Sequence, residues 1–302
     1  MTEIAVRTAH QAVVDLVRVL DLEQIDENLF RGAPSPNERG RAFGGQVASQ
    51  SLMAAIRTVG EGLTVHSLHS YFLLAGDPDL PIVYDVDRIR DGRSFATRRV
   101  AARQHGHPIF YMTVSFHKHE DGYDHQDVMP SVRPPEAGID MLDLMARGGF
   151  AEGEALAKEW AAVDVRILGN SVAGGVEPDE ARPALQQVWL KIAERLPDDP
   201  NVHLAAFTWA SDITLLGASL AAHTVQTAHV QMASLDHTIW FHRPFRADEW
   251  WLYDQESPSA QGGRGLSIGR VFAADGRLVA TAAQEGIIRP PRRSSAEVGT
   301  LA

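Results

Sequence analysis

The feature that most constrains this 302-residue chain is an internal repeat. Asp91-Gly-Arg-Ser-Phe-Ala-Thr-Arg-Arg-Val100 lies on Gly262-Gly-Arg-Gly-Leu-Ser-Ile-Gly-Arg-Val271 without a gap. Gly106 then falls on Gly276, Tyr71-Phe72 on Trp240-Phe241, and Phe43-Gly-Gly-Gln46 on Trp209-Ala-Ser-Asp212. Turns, aromatic positions and element order agree, so the chain reads as two copies of one unit. Each copy is a helix followed by four strands of an antiparallel sheet, an α+β arrangement. The length suits two units of ordinary size.

In the first copy, Gln11 to Leu20 is predicted as a helix, Leu22 to Arg31 as one strand and residues 32–40 as a loop. A second helix spans Ala42 to Ile56, and its small residues on all sides predict tight packing all round. Gly44-Gly45 at its start admits a close backbone or a ligand, though a plain helix-start turn explains the pair equally well. Strands follow at 65–74, 82–89, 94–104 and 108–117. The second copy has a helix from Ala205 to Leu220 and strands at 232–245, 249–256, 266–272 and 278–288. Residues 119–199 read as a linker with helices at Met141–Met145, Glu154–Ala162 and Leu185–Leu196, the last closed by Pro197-Asp-Asp-Pro200. The expected divisions are 1–118, 119–199 and 200–289, with 290–302 as a disordered tail.

Composition narrows the function classes. There is no cysteine, which excludes disulfides, thiolate catalysis and Cys-ligated zinc. A net charge of -11 argues against nucleic-acid binding but not against a small anion held by a local Arg cluster. No apolar run is long enough to span a bilayer, the N-terminus does not read as a signal peptide, and the last residues are not a peroxisomal address. The expectation is a cytoplasmic protein that neither inserts into a membrane nor binds nucleic acid.

The copies diverge where chemistry is expected. Gln46 of the first is Asp212 in the second, and Val114 is Gln284. A polar residue in place of an apolar one on a core strand costs about 1–3 kcal/mol if unpaired, so the second copy is the candidate site. The run Met232–Phe245 alternates, with Leu235, His237, Ile239 and Phe241 on one face and Ser234, Asp236, Thr238 and Trp240 on the other. Taken singly, Asp212 reads as a helix cap, Ser234 as an ordinary strand residue, and His237 and His242 as structural hydrogen-bonders.

Several motifs resemble the acyl-CoA thioesterase II family. They are Phe43-Gly-Gly-Gln46, His66-Ser-Leu-His-Ser-Tyr-Phe72, Asp91-Gly-Arg93 with Arg98-Arg-Val100, and Pro108-Ile-Phe-Tyr-Met112. The second half adds Ser211-Asp212, Asp236-His-Thr-Ile-Trp-Phe-His-Arg-Pro-Phe245 and Gln284-Glu-Gly286. The resemblance runs from about residue 14 to 289 and is weakest between the copies. It implies a double hot-dog fold, two helix-wrapped sheets joined edge to edge, which also removes the edge-strand hazard at the seam. It implies hydrolysis of medium- to long-chain acyl-CoA, no cofactor, no metal, and a homo-oligomer. By motif, the catalytic residues are Asp212, Ser234 (Thr in many members) and Gln284, which together hold the attacking water. Asp212 takes its proton, and Ser234 and Gln284 orient it. The Gly44-Gly45 turn and the start of the second helix are both candidate oxyanion sites. Arg93, Arg98, Arg243 and Arg264 are candidates for the coenzyme A phosphates, Arg93 and Arg264 first, although surface Arg commonly only solvates.

Two other readings compete. A hot-dog hydratase or dehydratase needs an Asp/His pair, but adjacent strand residues such as Asp236 and His237 face opposite ways. A non-catalytic acyl-CoA-binding protein has no use for Asp212 beside an apolar tunnel.

Overall fold

A computed structural model describes residues 8–147, 153–178, 182–224 and 230–289. The first half comprises helix α1 (Ala9–Leu20), the hairpin β1 (Glu23–Asp26) and β2 (Leu29–Gly32), helix α2 (Gly44–Ile56), and strands β3 (Leu63–Phe72), β4 (Ile82–Asp91), β5 (Phe95–Gln104) and β6 (His107–Lys118). The middle holds β7 (Ile139–Asp140), α3 (Met141–Arg147), α4 (Gly153–Glu159), β8 (Val163–Asn170) and β9 (Leu185–Ile192). The second half has α5 (Pro200–Ser211), a 3-10 helix (Leu215–Leu220), β10 (Gln231–Ser234), β11 (Asp236–Phe241), β12 (Trp251–Gln261), β13 (Arg264–Ala273) and β14 (Leu278–Arg289).

All strands among the described residues form one fourteen-stranded sheet. The two halves meet at β3 and β11, antiparallel, with Tyr71 opposite Asp236 and Ser67 opposite Trp240. The halves are thereby joined edge to edge, as the double hot-dog reading requires. α2 is buried from Gly45 to Ala55, between the sheet, α1 and α5. Small residues make the closest of these contacts possible. At Gly45, an added Cβ would clash with the backbone carbonyl of Trp209 in α5. No described helix is long and apolar enough to cross a membrane.

The structure departs from the sequence expectations most in three places, and the strand expected at 232–245 is broken at Leu235 into β10 and β11. The single strand expected at 22–31 is a hairpin, turning at Glu27-Asn28, with Asp26 accepting the Glu27 N–H (2.7 Å). The helix expected at 185–196 is strand β9, paired with β8 and β12. Leu185, Val188, Trp189 and Ile192 do fall at helical spacing, but the strand is buried on both faces. Val188, Leu190 and Ile192 join the main core, while Trp189 packs with Leu168, Leu252 and Phe272 on the other side. β7 to β9 thus place three strands of the sheet within residues expected to form a linker.

The third departure concerns the second central helix. The expected span is 205–220; instead the helix starts at Pro200 and ends at Ser211. Asp199 caps it by accepting the Asn201 N–H (2.9 Å), and Pro200 occupies the first turn, where its missing N–H costs nothing. Pro197-Asp-Asp-Pro200 is therefore a helix start. Asp212 lies at the C-terminal end of α5, in the break before the 3-10 helix, not at a helix start. The expected tail, 290–302, is outside the described residues.

Candidate active site

The break after α5 puts Asp212 against the first turn of α2, where the Gly45 N–H helps to stabilise its charge. Asp212 does not cap its own helix; its carboxylate lies instead beside the start of the other copy's helix. Gly44 makes the approach possible, since a Cβ there would sit 2.7 Å from Asp212 Oδ2.

Ser234 reaches the same point through a bulge. Ser234 faces Gly286 of β14, and Thr238 faces Ala283. Four residue steps on one strand therefore span three on the other, with the extra residue at Leu235. Strict alternation places Ser234 with Asp236. The bulge turns it to the inner face with His237 and Ile239, a common use of bulges beside functional sites. Asp236 stays on the opposite side, accepting the Glu285 N–H (2.7 Å). His237 is buried beneath Ser211. The Ser211 hydroxyl donates to the Thr208 carbonyl (3.0 Å) and accepts from His237 Nε2 (2.9 Å). Burial lowers the His237 pKa to about 4, so the ring is neutral and ties β11 to the residue before Asp212.

Gln284, on β14 and fully buried, joins the other two residues. Its Nε2 donates to Asp212 Oδ1 (2.6 Å) and to Ser234 Oγ (2.8 Å). Both N–H groups are thereby used. Because Ser234 accepts from Gln284, its own proton is free to be donated elsewhere. Asp212 is held well above the ordinary carboxylate range, at about 6. Burial is the main cause; the Gln284 and Gly45 hydrogen bonds and the Arg39 charge pull it back, and Glu159 pushes it up. A carboxylate poised near neutrality suits a general base.

Asp212 and Ser234 line a cavity of about 1050 Å³; Gln284 lies directly behind them. Its walls are largely apolar, with Phe72, Phe110, Met141, Leu144, Trp160 and Leu216 among them. Gly44 lines it; Gly45 lies just behind, at the α2–α5 contact. Arg93 and Arg264 do not line it. Arg93 is in the β4–β5 turn, at the far end of α2, and Arg264 pairs with Glu285 (3.0 Å) on the outer face of the sheet. Arg98 is buried and bonded to Thr58 (2.8 Å), and Arg243 pairs with Asp124, so both have structural roles. The cavity's arginines are instead Arg39, paired with Glu159 (2.9 Å), and Arg41, exposed at the surface. Sequence reasoning misses these two, together with the α3–α4 wall. Nothing in local sequence marks Arg41, because its place depends on how the 32–43 loop folds against the middle segment.

Comparison with known proteins gives the family. Residues 33–117 match the family model described as acyl-CoA thioesterase N-terminal domain, and residues 154–287 the one described as acyl-CoA thioesterase. The chain is 41% identical to acyl-coenzyme A thioesterase 8 of Homo sapiens, over 90% of this chain and 88% of that protein. It is 37% identical to acyl-CoA thioesterase 2 of Haemophilus influenzae, over 91% and 97%. The crystal structure of an acyl-CoA thioesterase II from Mycobacterium marinum superposes with a TM-score of 0.80 at 44% identity, covering 92% of this chain and 99% of that one. With both halves matched and the relatives spanned almost end to end, the chain belongs to the acyl-CoA thioesterase family, as a double hot-dog thioester hydrolase.

Proposed function

We propose that this enzyme hydrolyses medium- to long-chain acyl-CoA to free fatty acid and coenzyme A, with water activated by Asp212, Ser234 and Gln284. The observation that carries the reading is the pair of hydrogen bonds from Gln284 to Asp212 and Ser234 at the wall of an apolar cavity. The cavity is at the upper end of small-ligand pockets, which favours a long acyl chain. Water donates one proton to Asp212 and accepts the Ser234 O–H, which leaves a lone pair for the thioester carbonyl carbon. Asp212 takes the proton as the C–O bond forms, and collapse of the tetrahedral intermediate expels the coenzyme A thiolate. The Gly44 N–H, at the cavity-facing start of α2, is the proposed donor to the carbonyl oxygen. Of the two oxyanion sites considered from sequence, this one is preferred because the second helix starts at Pro200, at the opposite end of α5 from Asp212.

A hydratase reading finds no support here. Asp236 and His237 face opposite sides, and His237 is committed to Ser211.

Thiol release from palmitoyl-, octanoyl- and acetyl-CoA tests the reading, with no cysteine in the protein to add background. Release is expected to be fastest with the longer chains. Since Asp212 must be ionised, log kcat/KM is expected to rise with pH, break near pH 6 and then level. No release from any of the three would overturn the proposal, and a flat profile through pH 5–7 would remove Asp212 as the base.

The proposed phosphate contact is Arg41. It lies at the cavity, is exposed, and among the described residues pairs with no carboxylate. Arg41→Ala is expected to raise KM for acyl-CoA about fivefold, with kcat unchanged. The matching N-acetylcysteamine thioester, which has no phosphates, should show no change. An equal effect on both substrates would exclude a phosphate contact.

A further inference from the structure

The cavity wall carries a polar patch that the proposed mechanism does not use. Gln186 on β9 and Asn170 at the end of β8 both line the cavity. Their strands pair antiparallel, with Val188 opposite Ile167 and Gln187 opposite Gly169. One step further on, the Ser171 N–H donates to the Leu185 carbonyl (3.0 Å), so Asn170 lies beside Gln186. Val188 and Ile167 line the cavity as well, which puts the two amides on the same inward face of the strands.

Each amide is held one way round. Gln186 Nε2 donates to the Thr214 backbone carbonyl (3.3 Å) and to Gln255 Oε1 (2.8 Å). A backbone carbonyl only accepts, so turning the Gln186 amide end for end would set two acceptors against each other. Gln255 is buried and anchored in turn, its Nε2 donating to the Thr214 hydroxyl (2.7 Å). Asn170 Oδ1 accepts the N–H groups of Val172 (3.0 Å) and Ala173 (2.7 Å), which can only donate, so this amide is fixed too. What remains is one acceptor, Gln186 Oε1, and one donor, Asn170 Nδ2. Neither has a partner among the described residues, and neither is among the buried atoms left without one. Both are therefore accessible, side by side on a wall that is otherwise largely apolar. A few fixed polar groups in an apolar cavity are what orients a ligand.

We infer that Gln186 and Asn170 bind the pantetheine arm of the substrate, Gln186 Oε1 accepting an amide N–H and Asn170 Nδ2 donating to an amide carbonyl. The inference rests on the proposed reading of the cavity as an acyl-CoA site. An alkyl chain has no use for either group, whereas the pantetheine arm carries two secondary amides, each with one N–H and one carbonyl. The position agrees. Gln186 is tied to Thr214, two residues after Asp212, and the amides lie between the thioester sulfur and the phosphates. This contact is separate from the one proposed for Arg41, because the phosphates are at the far end of the arm.

The test compares Gln186→Met and Asn170→Asp with wild type on three thioesters. Octanoyl-CoA carries both amides and the phosphates, octanoyl-pantetheine the amides alone, and S-ethyl octanethioate neither. Asn170→Asp keeps the oxygen that holds the turn and replaces only the donor. Each variant is expected to raise KM about tenfold for octanoyl-CoA and octanoyl-pantetheine, with kcat unchanged. Turnover of S-ethyl octanethioate should match wild type, which also shows that the site is intact. Losses of equal size on all three thioesters overturn the inference, as does wild-type KM on all three. A loss confined to octanoyl-CoA places the contact at the nucleotide and overturns it too. No thiol release by the wild type from any of the three sinks the proposed function itself, and this inference with it.

Discussion

Asp212→Asn is expected to lower kcat/KM by about a thousandfold and, at pH 8, to raise the melting temperature. The first effect is the loss of the general base; such groups contribute about 10²–10⁴-fold. Asn retains a carbonyl oxygen for Gln284 Nε2, so the site's shape survives. The second effect follows from linkage. The Asp212 pKa is raised from 3.8 to about 6 on folding. Its contribution to stability is complete below pH 3.8 and is lost as pH rises through about 6, because the folded protein then holds a buried charge. A rise of that size corresponds to about 3 kcal/mol at pH 8. A neutral Asn avoids that cost, which for a chain of this size amounts to about 5 °C or more. Thermal unfolding across pH separates this from generic stabilisation, since the gain should be present at pH 8 and gone by pH 4. An inactive variant that melts no higher than wild type at pH 8 would mean the carboxylate is better solvated than its burial implies.

Gly45→Ala is expected to be the most destabilising small substitution in the site, by about 3–4 kcal/mol, with activity lost in parallel. The new methyl would meet the Trp209 backbone carbonyl, which cannot rotate away. α2 and α5 would have to separate, and the Gly45 N–H would leave Asp212. Gly44→Ala is the instructive contrast. Its methyl would meet the Asp212 carboxylate and the Phe72 ring, both side-chain groups that can shift. That variant should fold nearly as well as wild type and lose about a hundredfold in kcat, because a displacement of about 1 Å at a reacting group is enough. Denaturant titration and turnover measured on both variants check the pair. Equal stability for the two would show that the helices can give way at Gly45.

Much of the site is legible because the repeat supplies an internal comparison. Gln46 against Asp212 and Val114 against Gln284 single out two of the three residues without any structure. Ser234 carries no such contrast; the family resemblance alone selects it, and alternation assigns it to the wrong face. The misreadings share a cause: each arises where tertiary pairing decides the backbone. Leu185 to Ile192 has helical spacing but becomes a strand between two others. Pro200 reads as an ending and is a beginning, because a proline at a helix boundary is compatible with either until the cap is known.

Local pattern and composition determined the two-copy α+β architecture, most of the hairpin strands, the small-residue helix α2 and the absence of thiol chemistry. These are short-range matters, set by side-chain period, turn residues and residue type. Only the tertiary structure decided that Asp212 lies at the start of the other copy's helix, that a bulge at Leu235 turns Ser234 inward, and that Gln284 donates to both. It also decided that α3 and α4 wall the cavity, and that Arg41 lies there while Arg93 and Arg264 do not. Those facts depend on contacts between residues far apart in the chain, and the break after α5 and the bulge carry no distinctive local composition. What brings the site together is the close approach of α2 and α5 at Gly45, and a sequence read element by element contains no distance between elements.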